Sequence, residues 1–168
     1  VGHACRTIEE CRNQLDNVNT FYAMIDSRFL AGSEDLYTSY ETHFLKNLPL
    51  DIITNYNQDK LNYLQATVNS DFPLLVAEPD LKNGHLGLRN IQAIYWIEKS
   101  TSYIPSLSGL ALIPFFTRGE VQQIESAYDF LLRARIALHA LHNRKVDRLD
   151  LTLQPDVAEY MGFGAKTE

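Results

Sequence analysis

The chain has 168 residues, of which 45% are hydrophobic and 21% charged, a balance that suits one globular domain with a real core and excludes a disordered chain. No apolar run reaches the ~18 residues that a bilayer crossing needs. A net charge of −6 speaks against a general nucleic-acid binder.

The opening, VGHACRTIEEC, carries acids early and does not read as a signal peptide. Cys5 and Cys11 make neither a disulfide framework nor a zinc ligand set, so a reducing cytoplasm is the expected setting. Residues 1–7 look like the end of a strand entering a helix, and the first residue is Val rather than Met. Both features suggest a piece of a longer protein, cut inside or just after another domain.

Thr7-Ile8-Glu9-Glu10 is a capping box and predicts a helix running toward Asn17. Phe21, Ile25 and Phe29 share one face of a second helix, from about residue 19 to 30, with Gly32 as its C-cap. Ser33 caps a third, with Leu36, Tyr40 and Phe44 on one stripe. Pro49 interrupts, and another helix follows and ends before Pro73. Residues 73–87 hold Pro73, Pro79, Gly84 and Gly87 and predict a loop. Helix resumes near Leu88 and reaches about Ser100. One short helix fits inside 101–117. Thr117-Arg118-Gly119-Glu120, a second capping box, opens the longest helix, roughly 120–142. A last short helix follows Pro155, closed by Gly162 and Gly164. Strand signals are scarce beyond the very start and PLLVAE, so the expectation is an all-α, bundle-like domain with one long central helix.

Charge is uneven. Between Arg133 and Arg148 stand five basic residues (Arg133, Arg135, Arg144, Lys145, Arg148) and one acid, Asp147. This cationic island on an acidic body suits a small anionic ligand better than a long polyanion. Arg135, His139 and His142 share one face of the long helix. Arg133 lies about 200° from Arg135 around the axis and follows Asp129 by four residues, the spacing of a surface ion pair. Arg135, among Leu131, Leu132 and Leu138, needs an anionic partner: a protein carboxylate or a ligand phosphate. His139 reads as a hydrogen-bonded core residue or as a ligand contact. Arg144, Lys145 and Arg148 suit a helix C-terminus in any case.

The stretch NGHLGLRNIQAIYWI is the second candidate. Its glycines permit close backbone approach, and a helix N-terminus offers N–H groups to an anion. Arg89 in the first turn opposes the macrodipole, which points to another task. Gly87, Arg89 and Asn90 are therefore candidate phosphate contacts. Motifs for a P-loop, a nucleophile elbow, HExxH or a D-x-D pair are missing, so neither catalytic residues nor a metal site are expected in this segment. The Arg133-x5-His139 spacing also occurs in some helical ribonucleases, against which the acidic body argues.

Four segments together resemble the bacterial PII-protein uridylyltransferase / uridylyl-removing enzyme family. VGHACRTIEEC resembles its V-G-H-S-V-R-T-x-x-E-C, and MIDSRFLAG its (I/L)-(E/D)-x-R-L-(L/I)-x-G. EPDLKNGHLGLRNIQAIYWI resembles E-P-(D/N)-(I/L)-K-x-x-x-G-G-L-R-D-(I/L)-x-x-(I/L)-x-W. FLLRARIALHALHNRKVDRL resembles L-W-R-(I/V)-R-x-A-L-H followed by R-x-x-(D/N)-R-L. The resemblance implies a nucleotidyltransferase palm domain ending over residues 1–7 and a helical domain over 8–168. In the parent enzyme, palm aspartates would bind Mg²⁺ and UTP, and UMP would pass to a tyrosine of a PII-like signal protein. Gly87, Leu88 and Arg89 match the G-L-R motif. Arg133, Arg135, His139 and Arg148 match the helix motif, and His3 and Arg6 the palm-end motif. Two positions depart: Asn90 replaces the family's Asp, and Leu86 the first glycine of its pair. A helical regulatory or interaction module without a nucleotide site is the alternative.

Overall fold

Two capping boxes set helix starts where the sequence places them. Thr7 Oγ1 accepts from Glu10 N–H while the Glu10 carboxylate accepts from Thr7 N–H, and Thr117 and Glu120 repeat the arrangement. The computed structural model describes residues 4–69 and 76–163. Its α-helices are α1 (Ile8–Arg12), α2 (Val18–Ile25), α3 (Glu34–His43), α4 (Leu50–Val68), α5 (Leu88–Ser102), α6 (Arg118–His142) and α7 (Gln154–Tyr160). Short 3-10 turns lie at Leu45–Asn47 and Leu107–Leu112, the second inside the connection where one short helix was expected. No strand occurs among the described residues, and the fold is all-α with α6 as its longest helix. The strand expected at the start is not found over residues 4–7, and residues 1–3, with His3, lie outside the described residues, as does Gly164. Among the described residues no helix is long and apolar enough to cross a membrane.

Helix α2 is shorter than predicted. Asn17 caps its start by accepting from Thr20 N–H, and it closes at Ile25 with Asp26 as C-cap. Phe29 keeps the helical spacing by coincidence. Gly32, at φ 114°, therefore serves the bend before Ser33 rather than a C-cap.

The chain divides into two compact units, residues 1–62 with 96–105, and residues 63–95 with 106–168. The first is built on aromatic packing. Phe21 and Phe44 are buried, and Tyr22 stacks on Trp96 with ring centroids 5.2 Å apart. Inside it the Tyr22 hydroxyl donates to Asn57 Oδ1 at 3.3 Å, and Asn57 Nδ2 donates to Ser100 Oγ at 2.9 Å. These bonds satisfy the polar groups that burial would otherwise strand. The core of the second unit is aliphatic: Leu81, Ala134, Ala137, Leu138 and Val157, with Leu131, Val146, Leu149, Leu153 and Met161 packed on it. The apolar stripe of α6 thus holds α7 and the loop before α5.

Leu86 sits in the left-handed region at φ 57°, with its side chain largely exposed. A Cβ there clashes with the following carbonyl, and the matching position of the family motif is glycine. Leu86→Gly removes about 1–2 kcal/mol of that clash and returns about 0.5–1 kcal/mol through the looser unfolded chain. A net gain of roughly 0.5 kcal/mol is expected, read as a higher urea midpoint at unchanged slope.

Candidate functional site

Both sequence candidates fall in the second unit, and a backbone clasp joins them. Residues 77–82 run antiparallel to 147–151, with Asp80 and Arg148 as a bridge pair. Leu81 N–H donates to Asp147 O at 2.8 Å and Leu149 N–H to Pro79 O at 2.9 Å. Side chains close it: Arg148 Nη2 donates to Glu78 Oε2 at 2.6 Å, Leu151 N–H to Glu78 Oε1 at 3.1 Å, and Gln154 Nε2 to Ala77 O at 2.6 Å.

The glycine-rich loop folds on itself before α5 begins. Asp80 Oδ1 accepts from Lys82 N–H at 2.9 Å and Asn83 N–H at 2.7 Å. Gly84 N–H reaches Asp80 O and Gly87 N–H reaches Gly84 O. The first N–H groups of α5 are then consumed: Leu88 donates to Leu81 O at 3.0 Å, Arg89 to Lys82 O at 2.8 Å, and Asn90 to Gly87 O at 3.0 Å. This corrects the expectation that the helix N-terminus holds N–H groups free for an anion. A phosphate here would have to be met by side chains.

Asp147 is the hub. Arg135 Nε donates to its Oδ1 at 2.6 Å, His139 Nε2 lies 3.3 Å from the same oxygen, and Lys82 Nζ stands 3.9 Å from Oδ2. The anionic partner that Arg135 requires is thus a protein carboxylate. Burial raises the Asp147 carboxyl, but the Arg135 hydrogen bond and charge, the His139 hydrogen bond and the Lys82 charge outweigh it and hold it below its ordinary value. Arg148, followed by the Leu151 N–H, holds Glu78 low in the same way. Lys82 and Arg135 both face the one carboxylate of Asp147. The long Lys82 contact leaves that ammonium able to turn toward a ligand.

Both depressed carboxyls set a pH dependence with one sign. The unfolded chain takes up these protons at higher pH than the folded chain. The stabilisation is therefore complete above the ordinary values of 3.8 and 4.5 and is lost as pH falls through the lower folded values. Urea midpoints are expected to drop between about pH 5 and pH 3, and Asp147→Asn is expected to flatten that drop.

The remaining candidates are placed less tightly. Arg133 is exposed and pairs at 3.9 Å with Asp129, the i,i+4 contact its spacing allows. Arg144 is exposed, and no salt bridge among the described residues includes it. Arg148 also meets Asp150 at 3.2 Å. Gly87 is buried and Arg89 half-buried. Asn90 is buried, and its Oδ1 accepts no hydrogen bond from the described residues. Arg6 is exposed in the first unit. No group of three or more His, Cys, Asp or Glu among the described residues could hold a metal ion.

The sequence model of the GlnD PII-uridylyltransferase family matches residues 64–168, well over half of the chain. The chain belongs to this family. Curated relatives agree: it is 32% identical over 164 residues to the bifunctional uridylyltransferase/uridylyl-removing enzyme of Ruegeria pomeroyi, and 33% identical over 165 residues to that of Cereibacter sphaeroides. Each alignment covers 97% of this chain and 18% of the relative. The enzyme of the same name from Idiomarina loihiensis is 32% identical over 165 residues, covering 98% and 19%. The chain therefore spans less than a fifth of these relatives. No solved structure matches it. In this member of the GlnD PII-uridylyltransferase family, the two motif segments meet through Glu78, Lys82 and Asp147, none of them singled out as a site residue from sequence. The signals were present: Glu78 and Lys82 stand in the quoted E-P-D-L-K segment, and Asp147 is the one acid in the basic run.

Proposed function

We propose that this chain is the helical, nucleotide-side domain of a uridylyltransferase-type nucleotidyltransferase. The observation that carries the reading is the alignment of nearly the whole chain with bifunctional uridylyltransferase/uridylyl-removing enzymes. In this reading a PII-like signal protein supplies the acceptor tyrosine, the setting is cytoplasmic, and an adjacent palm domain holds Mg²⁺ and UTP. Bound there, the metal would supply charge neutralisation at the transferring phosphate. The tyrosine hydroxyl attacks the α-phosphorus, loses its proton, and pyrophosphate leaves.

The part of this chain is electrostatic. Arg133, Arg144 and Lys82 carry mobile cations that offset triphosphate charge as it shifts toward the leaving group. Arg135 and His139 are held on Asp147 and act by fixing the wall on which Lys82 stands, whereas Arg133, about 200° from Arg135 around the axis, acts from another side of α6. The test is Arg133→Ala/Arg144→Ala in the full-length gene product. Both side chains are exposed, so the fold is expected to survive. The KM for UTP should rise about ten-fold, and unchanged UTP kinetics would remove the phosphate role.

A second reading, a helical regulatory or interaction module without a nucleotide site, draws on two observations. The N–H groups of Leu88, Arg89 and Asn90 are used within the loop, and Asn90 stands where the family motif has Asp. Titration of the full-length product with UTP, followed by NMR shifts of residues 82, 89, 133 and 144, separates the two. Saturable shifts there contradict a purely structural module.

A further inference from the structure

The first unit contains a cavity of about 300 Å³ that the nucleotide-side reading leaves unused. That volume lies at the small end of ligand sites. Three cations line it, Arg28, Lys46 and Lys99, against one acid, Glu41. Neither Arg28 nor Lys46 forms a salt bridge with a described residue. Ser27 sits on the wall, with its hydroxyl within hydrogen-bonding reach of the Tyr40 hydroxyl. The Ser27 carbonyl is already engaged, taking Tyr37 Oη at 3.3 Å and Lys99 Nζ at 3.4 Å.

Aromatic rings supply the other half of the cavity. Phe29 and Tyr37 lie with centroids 5.7 Å apart, and both line it with Tyr103. Tyr103 directly follows α5, at φ 52°. That left-handed position after a helix is normally glycine, because a Cβ there is strained. A half-exposed tyrosine makes little core contact in return. Its ring flanks the cavity, and its hydroxyl donates to Lys46 O at 3.4 Å. Strain of this kind gathers at ligand clamps.

We propose that this cavity binds a small ligand that joins a planar ring to a phosphate, of the nucleoside monophosphate class. The phosphate would meet Arg28, Lys46 and Lys99, and the ring would stack against Tyr103 and Phe29. The site lies wholly in the first unit, so it stands or falls separately from the role of Arg133 and Arg144.

The test titrates the 168-residue chain with UMP, and separately with uridine and with inorganic phosphate, following assigned NMR shifts at residues 27, 28, 46, 99 and 103. UMP is expected to give saturable shifts there, with a Kd about ten-fold below either half-ligand. Lys46→Glu, an exposed substitution, is expected to weaken UMP about ten-fold. Tyr103→Gly relieves the backbone and should keep or raise the thermal midpoint while weakening UMP by about five-fold, a split that a purely structural tyrosine would not give. Absence of saturable shifts at these residues, equal affinity for UMP and phosphate, or variants that bind like the parent would each overturn the assignment.

Discussion

Gly87→Ala is expected to destabilise the second unit by about 2 kcal/mol. A Cβ at this buried position would stand 3.0 Å from the carbonyl oxygens of Gly84 and Lys82 and 3.1 Å from that of Leu81. All three are backbone atoms and cannot swing aside. They are also the acceptors for Gly87, Arg89 and Leu88 N–H. Pushing them away lengthens three hydrogen bonds and leaves the first turn of α5 short of acceptors. The urea midpoint should fall while the slope stays constant, and Leu86→Ala, at an exposed neighbour, should not reproduce the loss. A Gly87→Ala protein as stable as the parent would mean that the loop does not close as described.

The second large effect belongs to Asp147. Asp147→Ala leaves Arg135, His139 and Lys82 facing one another without an anion, and a loss of about 2 kcal/mol is expected at neutral pH. The figure sits below that for a fully buried pair because these side chains keep 22–32% of their surface exposed. Removing the cation as well tests the cause. Arg135→Met/Asp147→Leu should recover most of the loss, since an apolar pair of similar volume replaces a desolvated charge pair at little net cost. If the double variant is as unstable as the single one, backbone distortion at residue 147 rather than the stranded charge is responsible.

Local rules made much of the fold legible in advance. Capping boxes at Thr7 and Thr117 depend on residues three apart, so the sequence carries them whole. The long α6 followed from the capping box at Thr117, and the loop expected over 73–87, described from residue 76 onward, from its prolines and glycines. The end of α2 was not legible, because Phe29 continues the helical spacing after the chain has turned at Asp26. The candidate site was half legible. An arginine on the apolar face of α6 announces a need for an anion, but not which one. Asp147 lies twelve residues on, in an irregular segment, and Glu78 lies seventy residues from Arg148. Only the antiparallel clasp brings them together. The anion-binding helix start was misread for a related reason: a six-residue loop that folds back satisfies the N–H groups itself, and nothing in residue types distinguishes a folded-back loop from an open one.

The nucleotide role is tested most directly at Arg89, in the G-L-R motif. Its backbone N–H bond to Lys82 O does not depend on the side chain, so Arg89→Ala should keep the loop closed. Measured in the full-length gene product with UTP, Mg²⁺ and a PII-like acceptor, Arg89→Ala is expected to reduce kcat/KM for UMP transfer by about ten-fold or more in a protein that remains folded. Parent-like transfer by a stably folded Arg89→Ala protein would contradict the assignment of this chain to the nucleotide side of the enzyme.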